Sequence, residues 1–305
     1  MNISVVIPTY NRKSILIKCL LALEKQKLNK NITSYEIVVI DDGSTDKTKE
    51  WIIDNQEKIP HVVFYEQEHG GPALGRNLGV MKSKNEIIIF IDSDLVVVET
   101  FLVNHVEKLV SYWHKKNKKC FTYGSVINTS NFQNPQAEIH KITDISFAYF
   151  ATGNVAISRE LLLKAGLFDT SFSLYGWEDL ELGERLKKMG TKLIKCPEAK
   201  GFHWHPPFSC DQIEGLVKKE SERAKMALLF YRKHKNFRVR LIIQFTLLHK
   251  LLWQILCVGG LLNIKSIYPL LKFLVNSGKS GLALEILKLP LNLIYVNELY
   301  DLTKK

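Results

Sequence analysis

Four short apolar runs, Ile3–Ile7, Glu36–Ile40, Val62–Tyr65 and Glu86–Ile91, alternate with three segments of helical spacing, Ser14–Lys25, Thr45–Lys58 and Pro72–Ser83, in the first hundred residues. That alternation predicts repeated βαβ units around a mostly parallel sheet. Thr45 or Ser44 is suited to cap the second helix, and Pro72 to occupy the first turn of the third. The polar stretch Lys27–Ser34 reads as a loop. Residues 99–117 read as a further amphipathic helix, "CFTYGSVI" as a strand, and Asn128–Asp144 as a polar loop. Pattern resumes with the strand-like "FATGNVAIS", a short helix at Arg159–Ala165 and a helix from Glu178 to Met189.

The chain has 305 residues, 46 % hydrophobic and 24 % charged, enough for one large domain or two smaller ones with a real core. Its net charge of +11 is unevenly placed: residues 1–210 hold 26 Lys/Arg against 24 Asp/Glu, residues 211–305 hold 16 against 7. The excess of +9 therefore lies in the last third, which argues against a nucleic-acid partner for the rest. Five cysteines, odd in number and scattered, lack the close pairs of zinc sites or disulfide frameworks. With a strand beginning at the third residue rather than a signal-like segment, they predict a reducing, cytoplasmic setting.

In a parallel α/β sheet, ligands gather at the carboxyl ends of the strands. Those ends read "PTYNR" (Pro8–Arg12), "DDGSTD" (Asp41–Asp46), "EHGGPALGRN" (Glu68–Asn77) and "DSD" (Asp92, Ser93, Asp94). Each alone fits an ordinary turn or cap. A nicotinamide-binding sheet would place G-x-G-x-x-G after the first strand, where "PTYNRK" stands instead.

Taken together and in this order, the four ends resemble the nucleotide-sugar-binding half of the family 2 glycosyltransferases, enzymes of the GT-A fold. The resemblance implies an α/β fold with a mostly parallel central sheet flanked by helices, followed here by a helical C-terminal region. It implies that Pro8, Tyr10 and Arg12 line the base pocket, that Asp42, with Asp41, takes the base or ribose, and that Arg76 faces the diphosphate. Asp92, Ser93 and Asp94 match its D-x-D element. Asp92 and Asp94 would then address a divalent cation, manganese or magnesium, that bridges to the donor phosphates, while Asp92 and Ser93 also touch the donor. Residues two apart on a strand share a side, which lets both carboxylates reach one ion.

"FATGNVAISRELLLKAGLFDTSFSLYGWEDLELGERLKKMG" (Phe150–Gly190) resembles the acceptor-side module of galactosyltransferases and chondroitin-type polymerases. By that match Gly153 and Asn154 lie beside the transferred sugar, and Tyr175 and Trp177 offer faces for an acceptor ring. Glu178 and Asp179 open a helix, where carboxylates also serve as caps. The resemblance makes Asp179 the general base on the acceptor hydroxyl and Glu178 the residue that holds the acceptor. Arg185 is expected to neutralise this acidic cluster rather than touch substrate. In "GFHWHPP" the match to a metal-ligating histidine falls on His203, and His205 is expected to face the other way, with no metal role.

The resemblance covers residues 1–207, divided into a nucleotide-sugar-binding half (1–98) and an acceptor half (145–207). It implies inverting transfer from a nucleoside diphosphate sugar, UDP-linked in the first instance, to a hydroxyl in polysaccharide, lipopolysaccharide or glycolipid synthesis. Two rivals are a non-catalytic sugar-binding protein of the same fold, which would be expected to have lost one of these elements, and a polyprenyl-phosphate sugar transferase. The basic tail 211–305 is not covered. Its 22-residue apolar stretch Leu241–Leu262 holds His249 and Lys250 near the middle, and a central lysine costs roughly 2.5–3.5 kcal/mol for insertion. The tail is therefore read as an interfacial anchor on the inner, anionic face of a membrane, against a helical bundle packed on the core or a dimer interface.

Overall fold

The computed structural model describes residues 1–115, 119–137 and 149–304, with the side chains of residues 114 and 115 set aside. The expected extension of the helix to 117 and the part of the expected polar loop from 138 to 144 lie outside the described residues. The chain divides into two compact units, one formed by residues 1–173 and 178–205, the other by 174–177 and 206–305.

In the first unit, β1 (Asn2–Thr9), α1 (Lys13–Glu24), β2 (Ser34–Asp41), α2 (Thr48–Asp54), β3 (Val62–Glu66), α3 (Pro72–Lys82) and β4 (Ile87–Ile91) follow as the alternating pattern predicts. Then come β5 (Leu95–Val97), α4 (Phe101–Lys115), β6 (Cys120–Thr129), β7 (Asn154–Ser158), α5 (Arg159–Ala165), α6 (Glu178–Lys188) and β8 (Lys192–Trp204). These strands form one eight-stranded sheet in the order β3-β2-β1-β4-β7-β6-β8-β5. Neighbours among β1 to β4 run parallel, as do β6 and β8, whereas β7 runs antiparallel to both β4 and β6, and β5 antiparallel to β8.

The central strand β4 shows why its residues are apolar without alternation. Ile87, Ile89 and Ile91 enter one core with Val5, Leu20, Phe101 and Val106, while Ile88 and Phe90 enter a second core with Val6, Val80, Leu162 and Leu182. A strand covered on both faces must be hydrophobic at every position. Close approach is built in as well: a Cβ at Gly79 of α3 would fall 2.3 Å from a methyl of Val6 on β1. Glycine there lets the helix that follows the glycine-rich turn settle onto the sheet.

One local expectation changes, and one short strand is added. α2 starts at Thr48, behind Lys47 with φ 63°, and no side chain caps it. Ser44 and Thr45 instead tie the β2 loop to the β1 loop, the Ser44 hydroxyl accepting from the Asn11 amide (2.8 Å) and the Thr45 amide donating to Asn11 Oδ1 (2.7 Å). β5, only three residues long, was hidden inside the run "DLVVV" because it continues β4 across the acidic turn.

The second unit is helical: α7 (Ile213–Lys233), α8 (Phe237–Ile242), α9 (Leu247–Leu256), α10 (Ile264–Asn276) and α11 (Ser280–Asp301). One core joins Phe208 and Ile213 to Ile267, Leu271, Leu274, Leu287 and Leu291 of α10 and α11. By length and composition Phe237–Leu256 could cross a membrane, with 17 % of it buried. Yet the chain breaks between Ile242 and Leu247, where Gln244 takes φ 58°, so the apolar stretch 241–262 is not one helix.

Candidate active site

The acidic turn after β4 meets the end of β8 because β5 and β8 pair antiparallel, with Leu95 opposite His203. Backbone closure continues past that pair: the Trp204 amide donates to the Asp94 carbonyl at 2.9 Å. This register delivers His203 Nε2 to 2.9 Å from Asp94 Oδ1, while the Arg12 guanidinium pairs with Asp94 Oδ2. His205 joins them. Its ring lies 4.0 Å from that of His203, centroid to centroid, and one donor atom from each of Asp94, His203 and His205 falls within 4.8 Å of the others.

The expectation that His205 faces away is corrected: side chains two apart on extended chain share a face, the same rule that was applied to Asp92 and Asp94. One carboxylate and two imidazoles form a donor set that suits a divalent transition ion such as manganese, and magnesium less well. Burial by itself would push the Asp94 carboxyl up, but the His203 hydrogen bond and the charges of His203, Arg12 and His205 outweigh it and hold it low. Burial likewise opposes protonation of His203, and the hydrogen bond and charge of Asp94, with Asp92 behind it, prevail and raise its pKa.

A second acidic group sits at the start of α6. Arg76, carried on α3, is buried and reaches Glu178 Oε1 at 2.7 Å and Asp92 Oδ1 at 3.5 Å. The other Glu178 oxygen is buried with no hydrogen-bond partner among the described residues. Asp179 is partly buried beside them, its Oδ1 accepting from the Leu180 amide at 2.7 Å. Burial first, and then the neighbouring Glu178 charge, push its pKa from the ordinary 3.8 up to about 7, against the pull of Arg76. A carboxylate tuned to neutrality next to a buried cation is the arrangement expected of a general base. Arg185 does not serve this cluster as expected. Its guanidinium grips Glu181 at 2.6 Å and donates to the Leu167 carbonyl at 2.7 Å, one turn along α6.

Asp92 stands between the two groups, facing Arg76 rather than joining the imidazole cluster, and a Cβ at Gly153 would lie 3.1 Å from its Oδ2. Glycine at 153 therefore keeps the acidic turn accessible from the β7 side. Asn154 lies fully buried. Its amide group donates to the carbonyls of Ser125 (3.1 Å) and Ala199 (2.9 Å), which fixes its orientation, and its Oδ1 accepts from His105 Nε2 at 2.8 Å. Both amide hydrogens are thus spent on the protein, so Asn154 braces β6, β8 and α4 behind the site. His105 completes the brace through Thr122 Oγ1 at 2.8 Å, and burial lowers its pKa to about 4, keeping the ring neutral. Sequence patterning passes over His105, since a histidine within an amphipathic helix carries no signal of its own.

At the first two strand ends, Asp42 is saturated by the glycine turn. Oδ1 accepts from Gly70 N (2.9 Å) and Gln67 Nε2 (2.6 Å), and Oδ2 from Gly71 N (3.0 Å) with His69 Nδ1 at 2.9 Å. A contact from Asp42 to base or ribose would have to displace one of these bonds. Asp41 is buried, bound to the Ser44 amide at 3.1 Å, and burial raises its pKa. The exposed ring of Tyr10 stacks on His69 with centroids 4.3 Å apart, next to half-buried Pro8, leaving an aromatic surface at the rim. Ser93 is buried in the acidic turn.

Tyr175 and Trp177 belong to the second unit. Trp177, at φ 77°, donates its indole N–H to the Arg223 carbonyl at 2.8 Å and stacks on Phe230 with centroids 6.2 Å apart, so its ring is spent on the helical core. Tyr175 stays half exposed, with Lys219 Nζ 5.6 Å from its ring centre.

Among curated proteins, the chain is similar to the uncharacterized glycosyltransferase YfnE of Bacillus subtilis, 24 % identical over 269 residues that cover 71 % of this chain and 68 % of that one. It is similar to the chondroitin synthase of Escherichia coli, 29 % identical over 244 residues, 68 % of this chain but 35 % of the synthase, and so spans about a third of that relative's length. Among solved structures, the mannosyltransferase PcManGT from Pyrobaculum calidifontis, in complex with GDP-Man and Mn2+, superposes with a TM-score of 0.57 at 18 % identity, covering 98 % of this chain and 85 % of that one. S. aureus TarS 1–349 in complex with UDP gives 0.52 at 19 % identity over 99 % and 92 %. At such identities the likeness shows the fold, that of the GT-A glycosyltransferases. Residues 4–174, more than half of the chain, match the family model Glycosyl transferase family 2: the chain belongs to that family and is a glycosyltransferase.

Proposed function

We propose that the protein is a metal-dependent, inverting hexosyltransferase that takes a sugar from a nucleoside diphosphate, UDP in the first instance, and places it on a hydroxyl of a polysaccharide, lipopolysaccharide or glycolipid acceptor. The observation that carries this reading is the presence of two clusters at the acidic turn: Asp94 with His203 and His205, and Arg76 with Asp92, Glu178 and Asp179. Asp94, His203 and His205 would hold manganese, which when bound supplies positive charge for a departing diphosphate.

Asp179 takes the proton of the acceptor hydroxyl as that oxygen bonds to the anomeric carbon, and the bond from that carbon to the diphosphate breaks with its electron pair leaving on the phosphate. Attack by the acceptor oxygen itself, with Asp179 as its base, is one displacement and therefore inverts the anomeric carbon. Glu178 is assigned to hold the acceptor through another hydroxyl, while Arg76 holds Glu178 and Asp92 in place. Tyr10, Pro8 and Arg12 at the rim receive the base and ribose, with Asp41 and Asp42 shaping the loops beneath, and Gly153 leaves room for the sugar. Of the two rings assigned to the acceptor, Tyr175 keeps its face half exposed, whereas Trp177 is packed.

The test is a panel of UDP- and GDP-linked sugars scored for manganese-dependent elevation of the melting point, followed by NMR of the anomeric configuration of the product. One donor that protects only with manganese and yields the inverted product is expected. Protection by none of them, or a retained configuration, overturns the reading.

A further inference from the structure

In the helical unit α9 is turned inside out. Leu247, Leu248, Leu251, Leu252 and Ile255, which form one stripe at i, i+1, i+4, i+5 and i+8, are 45–73 % exposed. The opposite side carries the polar groups, and those are the ones the unit packs: His249 Nδ1 meets Thr246 Oγ1 at 2.7 Å, Lys250 Nζ lies 4.8 Å from the centre of the Tyr300 ring on α11, and the Trp253 indole donates to Gln244 at 2.6 Å. No residue of α9 is buried, and the apolar face runs on into the following turn through Leu261, 72 % exposed. A soluble helix places such a stripe inward. Contiguous exposed leucine of this kind marks an interaction surface.

We infer that this face docks on an anionic lipid surface, with α9 lying in the plane of the headgroups. Charge selects that occupant. The 62 residues from Arg223 to Leu284 contain no Asp or Glu and 11 Lys or Arg, so the apolar stripe sits inside a segment of strong net positive charge. A second copy of the chain would bring the same charge against itself across a two-fold contact, whereas acidic headgroups neutralise it. Length excludes a span: ten residues at 1.5 Å each give α9 about 15 Å, half of the roughly 30 Å hydrocarbon core, and the break before Leu247 prevents extension into α8. An amphipathic helix with an exposed leucine face, set in a basic segment, is the form of a monotopic anchor. This inference stands apart from the catalytic reading, since it uses no residue of the first unit.

Full-length protein is sedimented with vesicles of phosphatidylcholine, alone or mixed with phosphatidylglycerol. Partition at least about tenfold stronger onto the mixed vesicles, weakening as salt is added, is expected. Leu251→Glu with Ile255→Glu lowers it by about tenfold or more with an unchanged melting temperature, because neither side chain supports the fold. Lys265→Glu with Lys272→Glu, both exposed, removes the preference for the acidic lipid and leaves the apolar face intact. Equal partition onto both vesicles, no partition at all, or a dimer that Leu251→Glu with Ile255→Glu dissociates, would each overturn the inference.

Discussion

Arg76 and Glu178, 102 positions apart, close a buried ion pair of 2.7 Å that joins the helix after the glycine turn to the helix that opens with Glu178 and Asp179. Burial disfavours the Arg76 charge, and the Glu178, Asp92 and Asp179 carboxylates outweigh that and hold it protonated. Removing one partner of such a pair leaves the other charge buried alone. Arg76→Ala should therefore cost about 3–5 kcal/mol in urea unfolding, and Arg76→Ala with Glu178→Gln less than the sum of the two single changes. Strict additivity would show that the pair contributes no coupling.

Asp179 supplies the clearest kinetic expectation. Asp179→Asn keeps size and hydrogen bonding but cannot accept a proton, so the transfer rate should fall by about 10²–10⁴, with nucleotide affinity in manganese changed little. Isothermal titration with UDP beside product assays separates the two. A variant that turns over like the parent displaces the base from this residue.

The raised pKa of Asp179 makes a stability claim whose sign is fixed. Its folded pKa, about 7, exceeds its ordinary 3.8, so the fold prefers the protonated acid and loses stability as pH rises from 4 through 7. Asp179→Asn removes that loss and should unfold later than the parent at pH 8, by more than about 1 kcal/mol, with the difference vanishing near pH 3. The rate of transfer should move the other way, climbing through pH 7 as the base ionises. Thermal unfolding and initial rates across pH 4–9 check both.

The imidazole cluster predicts a specific order of metal loss. His203→Ala and Asp94→Asn should each weaken manganese binding by about tenfold or more, and His205→Ala should also weaken it, by the argument from a shared strand face. Asp92→Asn should leave manganese affinity nearer the parent value, since its carboxylate faces Arg76. Titration followed by electron paramagnetic resonance reads all four.

Behind the site, Gly124 has no space for a side chain: a Cβ would fall 2.4 Å from the Ala199 carbonyl and from the Asn154 amide. Gly124→Ala should destabilise by about 1–3 kcal/mol and disturb the Asn154–His105 brace. Asn154→Ala strands two carbonyls and the His105 N–H in the core, at about 1–3 kcal/mol per unsatisfied group. Urea unfolding midpoints measure both.

Much of the first unit could be read from residue order, because strand and helix periodicity are local: β1 to β4 and α1 to α3 fall within a few residues of the runs that predict them. The strand ends that carry polar side chains were legible for the same reason, since turn residues interrupt apolar runs. The amphipathic face of α9 shows the limit, because periodicity marks the leucine stripe but not which way it points. What only tertiary structure decided is partnership. Asp42 spends its oxygens on the glycine turn, Asn154 on the core, Arg185 on Glu181 and Trp177 on the helical unit, and no local pattern encodes such choices. His203 reaches Asp94 only because β5 and β8 pair in one register, and that register is set by packing across more than a hundred residues. Hydrophobic spacing acts over one turn or one strand, whereas the meeting of charges depends on how every layer between them fits.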